Sequence, residues 1–393
     1  MHFGGDKLYE QYKRRKLIAR IVLIGFFLIV LLGAAGYFSY TYLNRAKISK
    51  YFDEQKPFAV LLVLEKYNEE NKPVNLYLGV SVIYPSTSRI GFISFFPHTK
   101  LSPEEASLGE RLSLSGIEEV KNDLSEILNF PIPFYVRITP DVVSNIIDLV
   151  EGINYFLWQA DVLDKENLPF GEFTLDGETA KRLIEVTEKN DYSPALQLFR
   201  QYSLILNLWQ QRVEKWGLLK NPRLFNIISK EVETNMTNKE LFYLAENFFS
   251  IEGWLPLFFE VPLKRVENSF VIDTDANTIY LKDFNKKLTI KENPFYETFP
   301  RMEIKNGTSI KNLARKTRIF FSRRGIQILE FSNADHNNYE NTILLNISAN
   351  PHYLYSISKL TGIKRTYFTV NRSLFTDIIL IIGNDYENLK MEN

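Results

Sequence analysis

The chain has 393 residues, with 47 Lys and Arg against 47 Asp and Glu, so no global field favours nucleic acid or polyanionic substrates. It has no cysteine, which excludes disulfides, thiolate nucleophiles and cysteine-ligated zinc. The four histidines (His2, His98, His336 and His352) show no pair at metal-ligand spacing, so a zinc enzyme or a Ser-His-Asp hydrolase would need scattered partners.

In chain order, residues 1–20 form a basic segment with Lys13, Arg14, Arg15, Lys16 and Arg20. The stretch 21–43 (IVLIGFFLIVLLGAAGYFSYTYL) carries no charge and is long enough for one bilayer crossing. The basic flank predicts a cytoplasmic N-terminus and an extracytoplasmic bulk, at the cell membrane, on the periplasmic or cell-surface side. A signal anchor and a cleaved signal peptide, with Gly33-Ala34-Ala35-Gly36 at the cleavage site, are the two readings of this segment; the anchor fits its length better. Residues 44–57 read as a linker.

From Phe58 the pattern alternates strands and helices. FAVLLVL (58–64) is a continuous apolar run, as in a strand buried on both faces. Strands follow at Leu76–Tyr84 and Arg89–Phe96, separated by Pro85-Ser86-Thr87-Ser88. Ile117, Val120, Leu124, Ile127 and Leu128 recur at helical spacing. Thr139-Pro140 and Ser193-Pro194 each place a hydroxyl at the N-cap and proline at the first helical position. Thr237-x-x-Glu240 is a capping box. Ser269–Asp273 and Lys287–Ile290 read as short strands, and the aromatic run from Phe248 to Phe259 reads as core. Together these predict a three-layer α/β domain over 58–285 and a linker over 286–300. A small α/β domain of βαββαβ order follows over 301–386, then a tail over 387–393. In KNGTSIKNLARKT (305–317), Asn306-Gly307 supplies a turn and Thr308 or Ser309 is expected to cap the next helix.

The last domain resembles the C-terminal domain of LytR-type proteins. The matching blocks are Asn306-Gly307-Thr308 with Leu313-Ala314, Asn333-Ala334-Asp335 with Asn338-Tyr339, and Ile381-Ile382-Gly383-Asn384-Asp385-Tyr386. The preceding region resembles the LytR-CpsA-Psr family. Its L-V-D-x-x-G-G-V segment looks like the stretch from Ile147 to Ile153, its L-x-G-x-x-A start looks like Leu175 to Ala180, and its R-Q pair looks like Arg200-Gln201. The resemblance implies a membrane-anchored extracytoplasmic protein of cell-wall biogenesis. Such proteins bind polyprenyl pyrophosphate in an apolar groove, and many transfer a glycopolymer to peptidoglycan with arginines and Mg²⁺.

This chain departs from that pattern where the chemistry lies. Pro97-His98-Thr99 stands for Pro-Arg-Asp, a carboxylate is missing near Asn75 or Leu76, Glu185 and Thr187 replace two arginines, and Gln197 replaces a third. Repulsion between Glu185 and a pyrophosphate would be hard to offset. The resemblance with these departures implies a binder of polyprenyl-linked precursor, peptidoglycan or an envelope partner, without contact to nucleic acid. No catalytic residue and no metal ligand is assigned. The candidate ligand-binding residues are Arg200, Gln201, His98, Arg137 and Arg111. The alternative is a working transferase, with Arg89, Arg111, Arg137 and Arg200 as substitutes and Mg²⁺ as cofactor; a third reading is an envelope-linked regulator.

Overall fold

The computed structural model describes residues 47–157, 170–185, 193–250, 252–267, 269–291 and 299–389. The segment 21–43 lies outside the described residues, and so does Thr187. Among the described residues no helix is long and apolar enough to cross a membrane. The chain divides into a unit over residues 1–50 and a second over 51–393.

The elements in order are α1 (Lys47–Asp53), β1 (Phe58–Tyr67), β2 (Pro73–Tyr84), β3 (Arg89–Phe95), α2 (Leu108–Leu114), α3 (Ile117–Leu128), β4 (Phe134–Ile138), α4 (Pro140–Leu149), β5 (Ile153–Leu157) and β6 (Gly171–Leu175). Then come α5 (Gly177–Glu185), α6 (Ser193–Leu219), α7 (Pro222–Lys230), β7 (Glu233–Thr234), α8 (Asn238–Phe249), β8 (Leu255–Glu260), β9 (Leu263–Val266), β10 (Ser269–Ile272) and α9 (Thr274–Thr289). The last stretch holds β11 (Arg301–Asn306), α10 (Leu313–Ser322), β12 (Gln327–Asn333), β13 (Ile343–Asn346), α11 (Pro351–Thr361), β14 (Arg365–Phe368) and β15 (Ile378–Ile382).

The first sheet has six strands in the order β7-β4-β1-β2-β3-β8. Its centre is antiparallel, and β4 and β8 join it in parallel. Because β1 and β2 are apolar on both faces, both faces must be covered. On one side Leu61, Val63 and Val80 pack with Leu112 of α2, Val120 and Leu124 of α3, and Phe284 of α9. On the other, Leu64 and Tyr77 pack with Ile147 of α4, Leu183 of α5 and Leu204 of α6. Each fully buried aliphatic side chain contributes roughly 1.5–3 kcal/mol, so these two layers supply most of the drive to fold.

Of the expected start signals, one holds in full and one in part, and Ser193 is the first residue of α6, not the residue before it. Thr237 and Glu240 form both halves of the capping box of α8. Thr139 occupies the N-cap of α4 with Pro140 next, but its hydroxyl makes no cap bond. Lys287–Ile290 is not a strand: Lys287–Thr289 is the last turn of α9, whose buried Leu281, Phe284 and Leu288 recur at helical spacing.

The second sheet has the order β12-β11-β15-β13-β14. The expected βαββαβ path gains β14, a four-residue strand (RTYF) that pairs in parallel with β13. Thr308 and Ser309 do not cap α10, which begins at Leu313 after Asn312 at φ 63°. Thr308 closes a local turn instead: its backbone N–H and its hydroxyl both donate to Asn306 Oδ1, at 3.1 and 2.9 Å. This sheet packs on α6, where Asn207 Nδ2 donates to Phe368 O at 2.7 Å and Ser203 Oγ accepts from Val370 N at 2.8 Å.

Candidate ligand-binding site

The face of the first sheet covered by α4, α5 and α6 borders an open apolar cavity of about 270 Å³. Leu62, Leu64, Val136 and Ile138 form its floor, and Ile146 of α4 and Leu204 of α6 lie among its walls. A second, polar cavity of about 280 Å³ lies at the end of β3, among Asn75, Pro97, His98, Gln197 and Gln201. Tyr77 and Gln201 line both.

Gln201 is 4% exposed, and its place follows from an irregularity in the sheet. The β1–β2 register slips after Leu64, which pairs with Tyr77, so that Glu65 pairs with Asn75 and Leu76 has no partner. A bulge frees backbone groups from the ladder. Gln201 Nε2 donates to the carbonyl of Leu76 at 3.0 Å. Gln201 Oε1 and Asn75 Oδ1 are then buried acceptors without a hydrogen-bond partner among the described residues. Such atoms are costly unless a ligand or water donates to them. Beneath them, Tyr77 Oη lies 3.0 Å from Ser94 Oγ, to which Tyr202 Oη donates at 2.7 Å. Burial pushes the Tyr77 phenol up to about 12, so both tyrosines are neutral at physiological pH.

His98 reaches the polar cavity from the loop after β3, between the rings of Phe96 and Phe270. Burial lowers its pKa. An imidazole whose folded pKa lies below its unfolded value of about 6.5 binds its proton first in the unfolded chain. Its contribution to stability is therefore complete above that value and is lost as pH falls toward the folded pKa. The fall in melting temperature between pH 8 and pH 5 is expected to be smaller in His98→Gln than in the parent; equal slopes would place the acid sensitivity elsewhere.

The other candidates do not gather here. Arg200 is buried on α6 at 7% exposure and lines neither cavity. Arg111 pairs with Glu119 at 3.0 Å and Asp123 at 2.7 Å on the opposite helical layer. Arg137 pairs with Glu65 at 2.8 Å and Glu233 at 3.4 Å. Arg89 donates to Ile290 O at 3.0 Å and holds the end of α9.

Glu65 was not anticipated. The missing carboxylate sought at Asn75 or Leu76 stands on the neighbouring strand, opposite Asn75 and 1% exposed. Its signal in the sequence is a lone acid closing an apolar run, FAVLLVL-E. Mg²⁺ requires oxygen ligands, with one or two carboxylates beside substrate phosphates. Here the near carboxylate is committed to Arg137, and the open acceptors are neutral amides. Among the described residues no three acidic or histidine side chains converge. This donor set does not fit a metal held by the protein alone.

The glycine of Leu175-Asp176-Gly177 has a structural reason. A Cβ at Gly177 would lie 2.3 Å from Ser144 O, and Gly177 N donates to Asp148 Oδ1 at 2.7 Å. Gly177→Ala is expected to destabilise by about 2 kcal/mol, because backbone of α4 has to move. Urea unfolding checks this, and an unchanged midpoint would refute it.

Residues 98–279 match the LytR-CpsA-Psr family model. A Bacillus anthracis protein named polyisoprenyl-teichoic acid–peptidoglycan teichoic acid transferase TagU is 18% identical over 209 residues, which is 52% of this chain and 69% of that one. Among solved structures, Bacillus subtilis TagV aligns with a TM-score of 0.49 at 18% identity, covering 60% of this chain and 98% of its own. A structure titled TagT bound to LI-WTA gives 0.48 at 15% identity, covering 60% and 91%.

Proposed function

Through residues 98–279 this chain belongs to the LytR-CpsA-Psr family, and from that premise we propose that it is a membrane-anchored extracytoplasmic binder of polyprenyl-linked envelope precursor. The observation that carries the reading is the pairing of an apolar cavity with a polar one across Tyr77 and Gln201. An isoprenoid chain suits the first, and its polar head suits the second, where Gln201 Oε1 and Asn75 Oδ1 await donors. Binding rather than transfer is favoured because Arg89, Arg111 and Arg137 each serve a structural partner elsewhere. Guanidinium forks converging on the phosphates, the usual means of holding a pyrophosphate, are not assembled from these three.

The transferase reading is supported by the relatives named as teichoic acid transferases and by the Glu65–Arg137 pair beside Asn75. A calorimetric titration of the full chain in detergent with a short polyprenyl pyrophosphate, with and without Mg²⁺, separates the two. Binding without phosphate release is expected, weakened about tenfold by Gln201→Ala, or about 1.4 kcal/mol. Ile146→Trp, which fills the apolar cavity, is expected to abolish it. Metal-dependent release of phosphate would establish the transferase instead, and no binding would retire both cavities as a carrier site.

A further inference from the structure

The three sequence blocks that mark the last domain converge at one corner of its sheet. Gly307 N donates to Ile382 O at 2.9 Å, Ala334 N to Asn306 O at 2.9 Å, and Tyr339 N to Gly307 O at 3.0 Å. Asp385 Oδ1 accepts from Thr342 N at 2.7 Å, and Thr342 Oγ1 accepts from Gly383 N at 3.0 Å. No side chain fits at the two glycines: a Cβ on Gly307 would lie 2.6 Å from the Tyr339 ring, and one on Gly383 would lie 2.3 Å from Asn341 backbone.

Two adjoining hollows open there, of about 550 and 700 Å³, with Asp335 and His336 in both. The His336 imidazole lies flat on the Tyr339 ring, with centroids 3.9 Å apart and planes 9° apart. Tyr339 Oη donates to Asp335 Oδ1 at 2.9 Å, which holds the plate in place. In the first hollow Phe170 presents a second aromatic face, 54% exposed. The side-chain amides of Asn333, Asn337 and Asn338 at the rims are exposed and make no hydrogen bond to any described residue.

Charge narrows the class of ligand. The first hollow holds Glu172, Asp335 and Glu340 against Arg365. Glu172 is already bonded to Arg365 and Tyr367. That leaves Asp335 and Glu340, so the first hollow is negative and repels a phosphate-bearing polymer, while in the second Lys311 stands against Asp335 and adds no net charge. What fits is a ligand with flat apolar faces and many neutral donors and acceptors, oriented by a few polar groups. A pyranose ring has that character, with C–H faces for the aromatic surfaces and hydroxyl or acetamido groups for the free amides.

We propose that this corner is a binding groove for an uncharged glycan strand, with His336, Tyr339 and Phe170 as stacking surfaces and Asn338 as an orienting amide. The site is separate from the carrier-lipid cavities and does not depend on that reading. The experiment is titration of the full chain in detergent micelles with the β-1,4-linked tetramer of N-acetylglucosamine, beside poly(glycerol phosphate) at equal monomer concentration. The tetrasaccharide is expected to bind in the submillimolar range. His336→Ala, at an exposed side chain where folding is not at stake, should weaken it at least tenfold, and Asn338→Ala about threefold. Gln201→Ala, in the carrier cavities, should leave it unchanged. Absence of tetrasaccharide binding, binding indifferent to both variants, or preference for the phosphate polymer would each overturn the assignment.

Discussion

Replacing Asn207 with leucine is expected to loosen the second sheet from α6 and to cost roughly 3–5 kcal/mol. Asn207 is 1% exposed and bonds one residue of β14 twice, donating to Phe368 O at 2.7 Å and accepting from Phe368 N at 3.1 Å. It thereby completes the outer edge of the strand, whose inner edge pairs with β13. Leucine has similar volume but no polar atoms, so both Phe368 groups would be buried without partners. The nearby contacts from Ser203 to Val370 and from the exposed Gln210 to Thr366 would bear the load. Hydrogen exchange should show protection lost at residues 366–370 before it is lost in β1 and β2. If protection falls uniformly with the global midpoint, the two sheets unfold as one cooperative body and Asn207 is merely one bond among many. Asn207→Asp, which keeps the acceptor and loses the donor, should fall between the parent and leucine.

Much of this arrangement was open to reading because its causes are local. The capping box at Thr237 and the proline at Pro140 act within one turn, and the apolar period of α3 needs only its own twelve residues. The features that decide function are not local. The slip that brings Glu65 opposite Asn75 belongs to a pairing between strands, and no single strand contains it. The cavity beside Tyr77 is a property of the space between a sheet and three helices. The loop at Asn306 misleads for a related reason: Thr308 Oγ1 donates to Asn306 Oδ1 and accepts from Ile310 N at 3.1 Å, so the oxygen that could have accepted from a helix N–H closes a turn that ends before the helix begins. Lys287–Ile290 shows the opposite limit, since four residues are too few to distinguish an apolar strand from the last turn of a helix.

Arg137→Ala is the second large effect, with an expected loss of about 3 kcal/mol or more. Glu65 is 1% exposed, and the arginine is the cation that answers it, with Tyr67 Oη adding a bond of 3.2 Å. Removing the guanidinium strands an acid that the fold has already withdrawn from water. Glu65→Gln alone is expected to cost less, because the amide can still accept from Arg137 and from Tyr67. The informative variant is the double change Arg137→Met with Glu65→Leu. If the pair serves stability alone, this apolar replacement should recover most of the loss and leave carrier-lipid affinity as it was. If the pair is kept for the ligand, stability should recover while affinity does not, because Asn75 would lose the charged neighbour opposite it on β1. Urea midpoints and lipid titrations on the parent and these three variants distinguish a structural ion pair from one that takes part in binding. A double variant no more stable than Arg137→Ala would show that the strand ends depend on the charges themselves.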